Sequence, residues 1–129
     1  MNTKLLMTVS SVLLLAAGIA ITFLPQEILA QFSAQPNQEL TLTLQILGAF
    51  YFAFGMVNWL AKESLLGGIY GRPIVVGNVT HFLIGALALI KGIMLHGNVL
   101  LWSAAVVYTL FAAAFTITMY SHPKPKHQG

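Results

Sequence analysis

The chain contains no cysteine and no aspartate, and only 7% of its 129 residues are charged. Without cysteine there is no disulfide scaffold, thiol relay, iron–sulfur cluster or cysteine-based zinc site. Membrane thiol oxidoreductases of the four-helix type are excluded with them. The only side-chain carboxylates are Glu27, Glu39 and Glu63, and each lies in a loop or at a segment boundary. A proton-coupled exporter that relies on an intramembrane carboxylate is therefore disfavoured. An ordinary soluble domain carries about 25% charged residues. Here 57% of residues are hydrophobic instead, and a soluble fold of this size cannot hide that much apolar surface. A lipid bilayer removes the problem.

The basic residues are Lys4, Lys62, Arg72, Lys91, Lys124 and Lys126, and the formal net charge is +3. They are scattered at the ends of apolar runs and form no patch, which argues against nucleic acid as a partner. Their distribution fits membrane orientation instead.

Four apolar segments run over about 5–24, 40–61, 73–95 and 99–120. At 1.5 Å rise per residue, about 20 residues cross a hydrocarbon core of about 30 Å. Apolar residues are consecutive in these runs, so the alternation that barrel strands need is missing. The expected fold is all-α: an integral membrane four-helix bundle over 1–120, with left-handed packing and short loops. The first apolar run is longer than a signal-peptide core, and no small-x-small cleavage site follows it, which favours an uncleaved first span. Pro25 ends that span. Gln26–Phe32 carries Ile28, Leu29 and Phe32 on one side, as a short interfacial helix would. Ser33–Glu39 reads as a polar loop. Lys62–Arg72, with Gly67, Gly68 and Gly71, reads as a tight connection. The tail 121–129, with Pro123 and Pro125 between lysines, is expected to be disordered.

Five of the six basic residues fall on one side of the membrane, and only Lys91 leans to the other. The expected orientation has both termini in the cytoplasm, with Lys91 snorkelling to its interface.

Each span, projected at 100° per residue, presents a stripe with alternating three- and four-residue spacing, the pattern of left-handed helix packing. The stripes are Thr8, Ser11, Leu15, Gly18, Thr22; then Leu44, Gly48, Tyr51, Gly55, Asn58, Lys62; then Asn78, His81, Gly85, Ala88, Gly92; then Ala105, Thr109, Ala112, Thr116, Met119. Small residues let membrane helices approach closely, so Gly18, Gly48, Gly55, Gly85, Ala88, Gly92 and Ala112 are the expected packing positions. Phe50, Phe52, Phe54, Phe111 and Phe115 mostly fall outside the stripes and suit lipid contact or groove filling. The polar stripe members concentrate toward the cytoplasmic ends. Tyr51, Asn58, Asn78, His81 and Arg72 are therefore the candidate ligand-binding residues. His81 is the one titratable side chain well inside a span, and such residues are functional candidates by default. The alternative reading is interhelical glue, with imidazole and amides bonded across helices. Arg72, just before Pro73, suits a phosphate or carboxylate at a helix start, or ordinary phospholipid.

Haem is disfavoured because His81 has no second deep histidine, leaving only Met56 or Met119 as a partner. No paired carboxylates, nucleophile–base motif or phosphate loop is present. No cofactor and no metal are expected, and no catalytic residue is assigned.

The layout resembles the DoxX-like group of small bacterial four-span membrane proteins. The resemblance rests on Phe23-Leu24-Pro25 closing the first span, the interfacial segment, the glycine- and aromatic-rich second span (Leu47-Gly48-Ala49-Phe50-Tyr51-Phe52-Ala53-Phe54-Gly55), and two closely spaced final spans. It covers most of the chain and is one of architecture. It implies the fold and a bacterial inner-membrane location, and transfers no site residues. A minimal chain without a catalytic set leads first to a non-enzymatic role by association: an accessory or scaffold subunit of a membrane complex, or a homo-oligomer. Its expected partners are membrane lipids and other membrane subunits or itself. The alternative is binding or transport of a small amphipathic ligand, a lipid or quinone, in the cytoplasmic-side polar pocket. An intramembrane enzyme using His81 as acid or base is third.

Overall fold

The structure, a computed structural model, describes residues 2–32, 34–63 and 71–121. Every regular element among them is an α-helix: α1 (Thr3–Phe23), α2 (Pro25–Gln31), α3 (Gln38–Ala61), α4 (Arg72–His96) and α5 (Val99–Tyr120). The four long helices, of 21, 24, 25 and 22 residues, are long and apolar enough to cross a membrane. The chain is thus all-α, with the make-up of a multi-pass membrane protein. The helices start up to two residues before the apolar runs, because a polar cap can precede the first apolar residue. Asn37 caps α3 by accepting from the Leu40 N–H at 2.7 Å. The connection at Gly67, Gly68 and Tyr70 and the tail after Ser121 lie outside the described residues.

The chain divides into two compact units. The first, Lys4–Lys62, holds α1, α2 and α3. Pro25 stands at the first turn of α2, where its missing N–H costs no helical bond, and so converts one long helix into a span and a short amphipathic segment. Leu29 of α2 is buried while Gln26, Glu27 and Gln31 are exposed.

In this unit α1 and α3 meet backbone to backbone. A Cβ on Gly18 would lie 2.6 Å from the Phe52 amide nitrogen and 2.9 Å from the Gly48 carbonyl oxygen. A Cβ on Gly48 would lie 2.8 Å from the Thr22 amide nitrogen and 2.9 Å from the Gly18 carbonyl oxygen. On Gly55 it would meet the Leu15 amide nitrogen at 2.9 Å. No other residue fits at these three positions without separating the helices.

The second unit holds α4 and α5, joined by Gly97 and Asn98 alone. Asn98 caps α5 by accepting from the Leu101 N–H at 2.8 Å. Aromatic rings fill this pair. Phe82 stacks on Phe111 (centroids 4.8 Å apart) and on Phe115 (5.7 Å), and meets Tyr108 edge-on at 5.1 Å. Such pairs add to what area burial provides.

The aromatic residues therefore divide differently from expectation. Phe50 and Phe52 are exposed, as lipid-facing residues would be. Phe115 is wholly buried and Phe111 half-buried, both against Phe82. The buried stripe on α5 runs Ala105, Tyr108, Ala112, Phe115, Thr118, one position off the polar stripe through Thr109 and Thr116. On α4 it runs Val75, Asn78, Phe82, Ala86. Ala88 is exposed, and Ala86 takes the buried place. Gly92 is in ordinary contact with Leu101, 3.8 Å from where its Cβ would stand.

Candidate functional site

The candidate polar residues divide between the two units. Tyr51 and Asn58 lie on α3, seven residues apart on one face. Arg72, Asn78 and His81 lie on α4.

In the first unit the polar seam is built from α1 and α3. Asn58 is wholly buried, and its Nδ2 donates to Ser10 Oγ at 3.2 Å. Ser10 in turn donates to the Met7 carbonyl oxygen at 3.0 Å. One position on, the Ser11 hydroxyl donates to the Gly55 carbonyl oxygen at 2.8 Å. That bond is possible because Gly55 has no side chain to hold α1 away. Two adjacent serines thus tie α1 to α3, both 0% exposed. Ser10 falls outside the expected stripe. The signal for it is the Ser10–Ser11 pair itself, since a buried amide at Asn58 needs a hydroxyl within reach. Thr8 turns its hydroxyl to the Lys4 carbonyl oxygen of its own helix, 2.8 Å away, the usual way a membrane helix satisfies threonine. Tyr51 is half-buried.

At the end of α3, Lys62 places its Nζ 3.1 Å from the centroid of the Trp59 ring. This is a cation–π contact, located where interfacial tryptophans anchor a span.

In the second unit, His81 Nε2 lies 3.2 Å from Tyr108 Oη. The two rings are tilted at 5.5 Å. The hydroxyl reaches this position because the Tyr108 ring lies over Gly85: a Cβ there would stand 2.5 Å from Cε1. The glycine expected as a helix-packing position is what lets a tyrosine cross between α5 and α4. Tyr108 itself is absent from the sequence stripe. Its three- and four-residue spacing to Ala105 and Ala112 is the signal that marks it.

Asn78 is wholly buried and donates through Nδ2 to the Ile74 carbonyl oxygen at 2.9 Å. Arg72 opens α4 and is exposed. Thr116 donates to the Ala112 carbonyl oxygen of its own helix at 2.7 Å, as Thr109 does to Ala105 at 2.8 Å. Among the described residues, no buried side-chain nitrogen or oxygen lacks a hydrogen-bond partner. No group of three or more His, Cys, Asp or Glu gathers there to hold a metal.

The chemistry of this arrangement is cohesive. Among the described residues the buried hydroxyls and amides are engaged by neighbouring helices or by their own backbone, and the spans expose many large hydrophobic side chains. No protein-family model, curated protein or solved structure matches the chain.

Proposed function

We propose that this chain is a small multi-pass protein of the bacterial inner membrane that works by association, as an accessory or scaffold subunit or with copies of itself. The observation that carries this reading is that, among the described residues, the buried polar side chains are satisfied within the chain itself. Asn58 and Asn78, two of the candidate ligand contacts, are wholly buried and hydrogen-bonded. At Asn58, which bonds across to α1, that favours glue over a ligand; Asn78 bonds to the backbone of its own helix. What the protein offers to its surroundings is apolar surface on all four long helices, including Phe23, Phe50, Leu60, Met94 and Leu110.

The charge distribution supports an orientation with both termini in the cytoplasm. Lys4, Lys62, Arg72, Lys124 and Lys126 then lie inside, and Lys91 alone lies outside. The resemblance to the DoxX-like group supports the inner-membrane location.

Native mass spectrometry of the protein extracted from its own membranes in mild detergent tests the reading. A species carrying other polypeptides, or an integral multiple of the chain mass, is expected. A protein that is always alone and monomeric, even after cross-linking in the membrane, overturns it.

A further inference from the structure

A groove of about 510 Å³ opens between α4 and α5, toward the Gly97–Asn98 end of the pair. This is within the range of about 300–1,000 Å³ that ligand sites occupy. Its lining includes neither His81 nor Tyr108 and none of the polar candidates. Ile90 and Met94 wall it from α4; Trp102, Val106 and Leu110 wall it from α5. Thr109 also lines it, but its hydroxyl is bonded to the Ala105 carbonyl oxygen, so the groove is dry.

Three observations identify the occupant. First, the groove lies wholly on two helices of membrane-spanning length, so what fills it comes from the bilayer. Second, it runs along α5 from Trp102, near the helix start, to Leu110 at mid-helix. Eight residues at 1.5 Å rise make about 12 Å, close to the depth of one leaflet, half of a hydrocarbon core of about 30 Å. A transmembrane helix would run the full span; a lipid chain, with its head at the interface, occupies one leaflet. Third, apart from Ala105, which is buried, and Thr109, the lining is bulky. Helices in membranes pair through small residues that let backbones approach, whereas isoleucine, methionine, valine and leucine walls accommodate a thin flexible chain. Trp102 is 58% exposed at the mouth. Its indole N–H suits the ester region of a lipid, where tryptophan combines an apolar body with one donor.

We propose that the α4–α5 groove holds one hydrocarbon chain of a membrane phospholipid, with Trp102 at the ester level. This holds whether or not the protein has a protein partner.

The test uses the full chain reconstituted in bilayers of dioleoyl phosphatidylcholine and released for native mass spectrometry. Val106→Phe and Ile90→Phe fill the groove from its two walls at side chains that are 54% and 45% exposed. Ile117→Phe is the control, on α5 but outside the groove. The wild type and the control are expected to retain one phospholipid, and each groove variant to retain at least tenfold less at unchanged helicity. Equal retention by all variants, or none by the wild type, overturns the proposal. A dimer that only the groove variants lose overturns it too, by making the occupant a second copy. A measurement without substitutions uses phosphatidylcholine carrying a photoreactive diazirine midway along one chain. Labelling is expected within 90–94 and 102–110, and labelling that avoids both segments refutes the assignment.

Discussion

Asn58 donates a hydrogen bond to Ser10 across the α1–α3 seam, and both side chains are wholly buried. In a bilayer such a bond contributes less than the cost of stripping water would suggest. Chains inserted but not yet packed also find polar partners, and measured cycles average about 0.6 kcal/mol, with a maximum near 1.7. We expect a double-mutant cycle of Asn58→Leu and Ser10→Ala to give a coupling free energy of about 0.6 kcal/mol. Unfolding by denaturing detergent in mixed micelles measures it. A coupling indistinguishable from zero would mean that the Asn58–Ser10 bond does not help to hold the seam.

The glycines give a graded series, because what a new methyl group meets differs at each. At Gly18 it meets the backbone of Phe52 and Gly48 at 2.6–2.9 Å, and backbone cannot turn aside. At Gly85 it meets the edge of the Tyr108 ring at 2.5–2.6 Å, which can rotate at the expense of its contacts. At Gly92 it meets only Leu101 methyl groups at 3.8 Å. Overpacking typically costs about 1–3 kcal/mol. Gly18→Ala should lie at or above the top of that range, Gly85→Ala inside it, and Gly92→Ala should be neutral or slightly stabilising through helix propensity. Thermal melts in one detergent rank the three. If Gly18→Ala is the least damaging, the close approach of α1 and α3 is not what holds the first unit together.

The helices were legible in the sequence because a bilayer imposes length and hydrophobicity together, and little else satisfies both. Pro25 and the amphipathic residues after it likewise announce α2. The rotation of each helix was much less legible. When every face is apolar, the choice of seam falls to side-chain volume, and volume depends on the neighbour. On α3 small and polar residues coincide with the buried stripe, so Gly48, Gly55 and Asn58 stand where their spacing puts them. On α5 threonines mark a stripe one residue off the buried one, because Thr109 and Thr116 bond to their own helix and need no partner across it. Tyr108 and Phe115 are buried instead because Phe82 and Gly85 on α4 provide a ring to stack on and space to lie in. That complementarity belongs to a pair of helices and is invisible in either alone.

Phe82 and Phe50 make a controlled comparison, since they are the same residue in two surroundings. Phe82 is 0% exposed and contacts the rings of His81, Tyr108, Phe111 and Phe115, whereas Phe50 is 70% exposed. Truncating a buried phenylalanine removes its contacts and leaves a cavity, typically at about 3–5 kcal/mol. Phe82→Ala should lower the unfolding free energy by about 3 kcal/mol or more. Phe50→Ala, which exchanges a ring for lipid, should change it by no more than about 0.5 kcal/mol, as peripheral substitutions do. Equal effects would contradict the burial of Phe82.

Tyr108→Phe separates the hydroxyl from the ring. The ring keeps its edge-on contact with Phe82 and its place over Gly85, while His81 Nε2 loses a partner at 3.2 Å. The stability cost should therefore be small, about 0.6 kcal/mol by the average for hydrogen bonds between membrane helices. The spectroscopic effect should be local and clear. In protein labelled with ¹⁵N-histidine, the His81 Nε2 resonance should move on substitution, because a hydroxyl partner fixes which ring nitrogen carries the proton. The resonance of His96 should stay in place. An unmoved His81 signal would show that the Tyr108 hydroxyl is not a partner of the imidazole, and that only the ring matters at this crossing of α4 and α5.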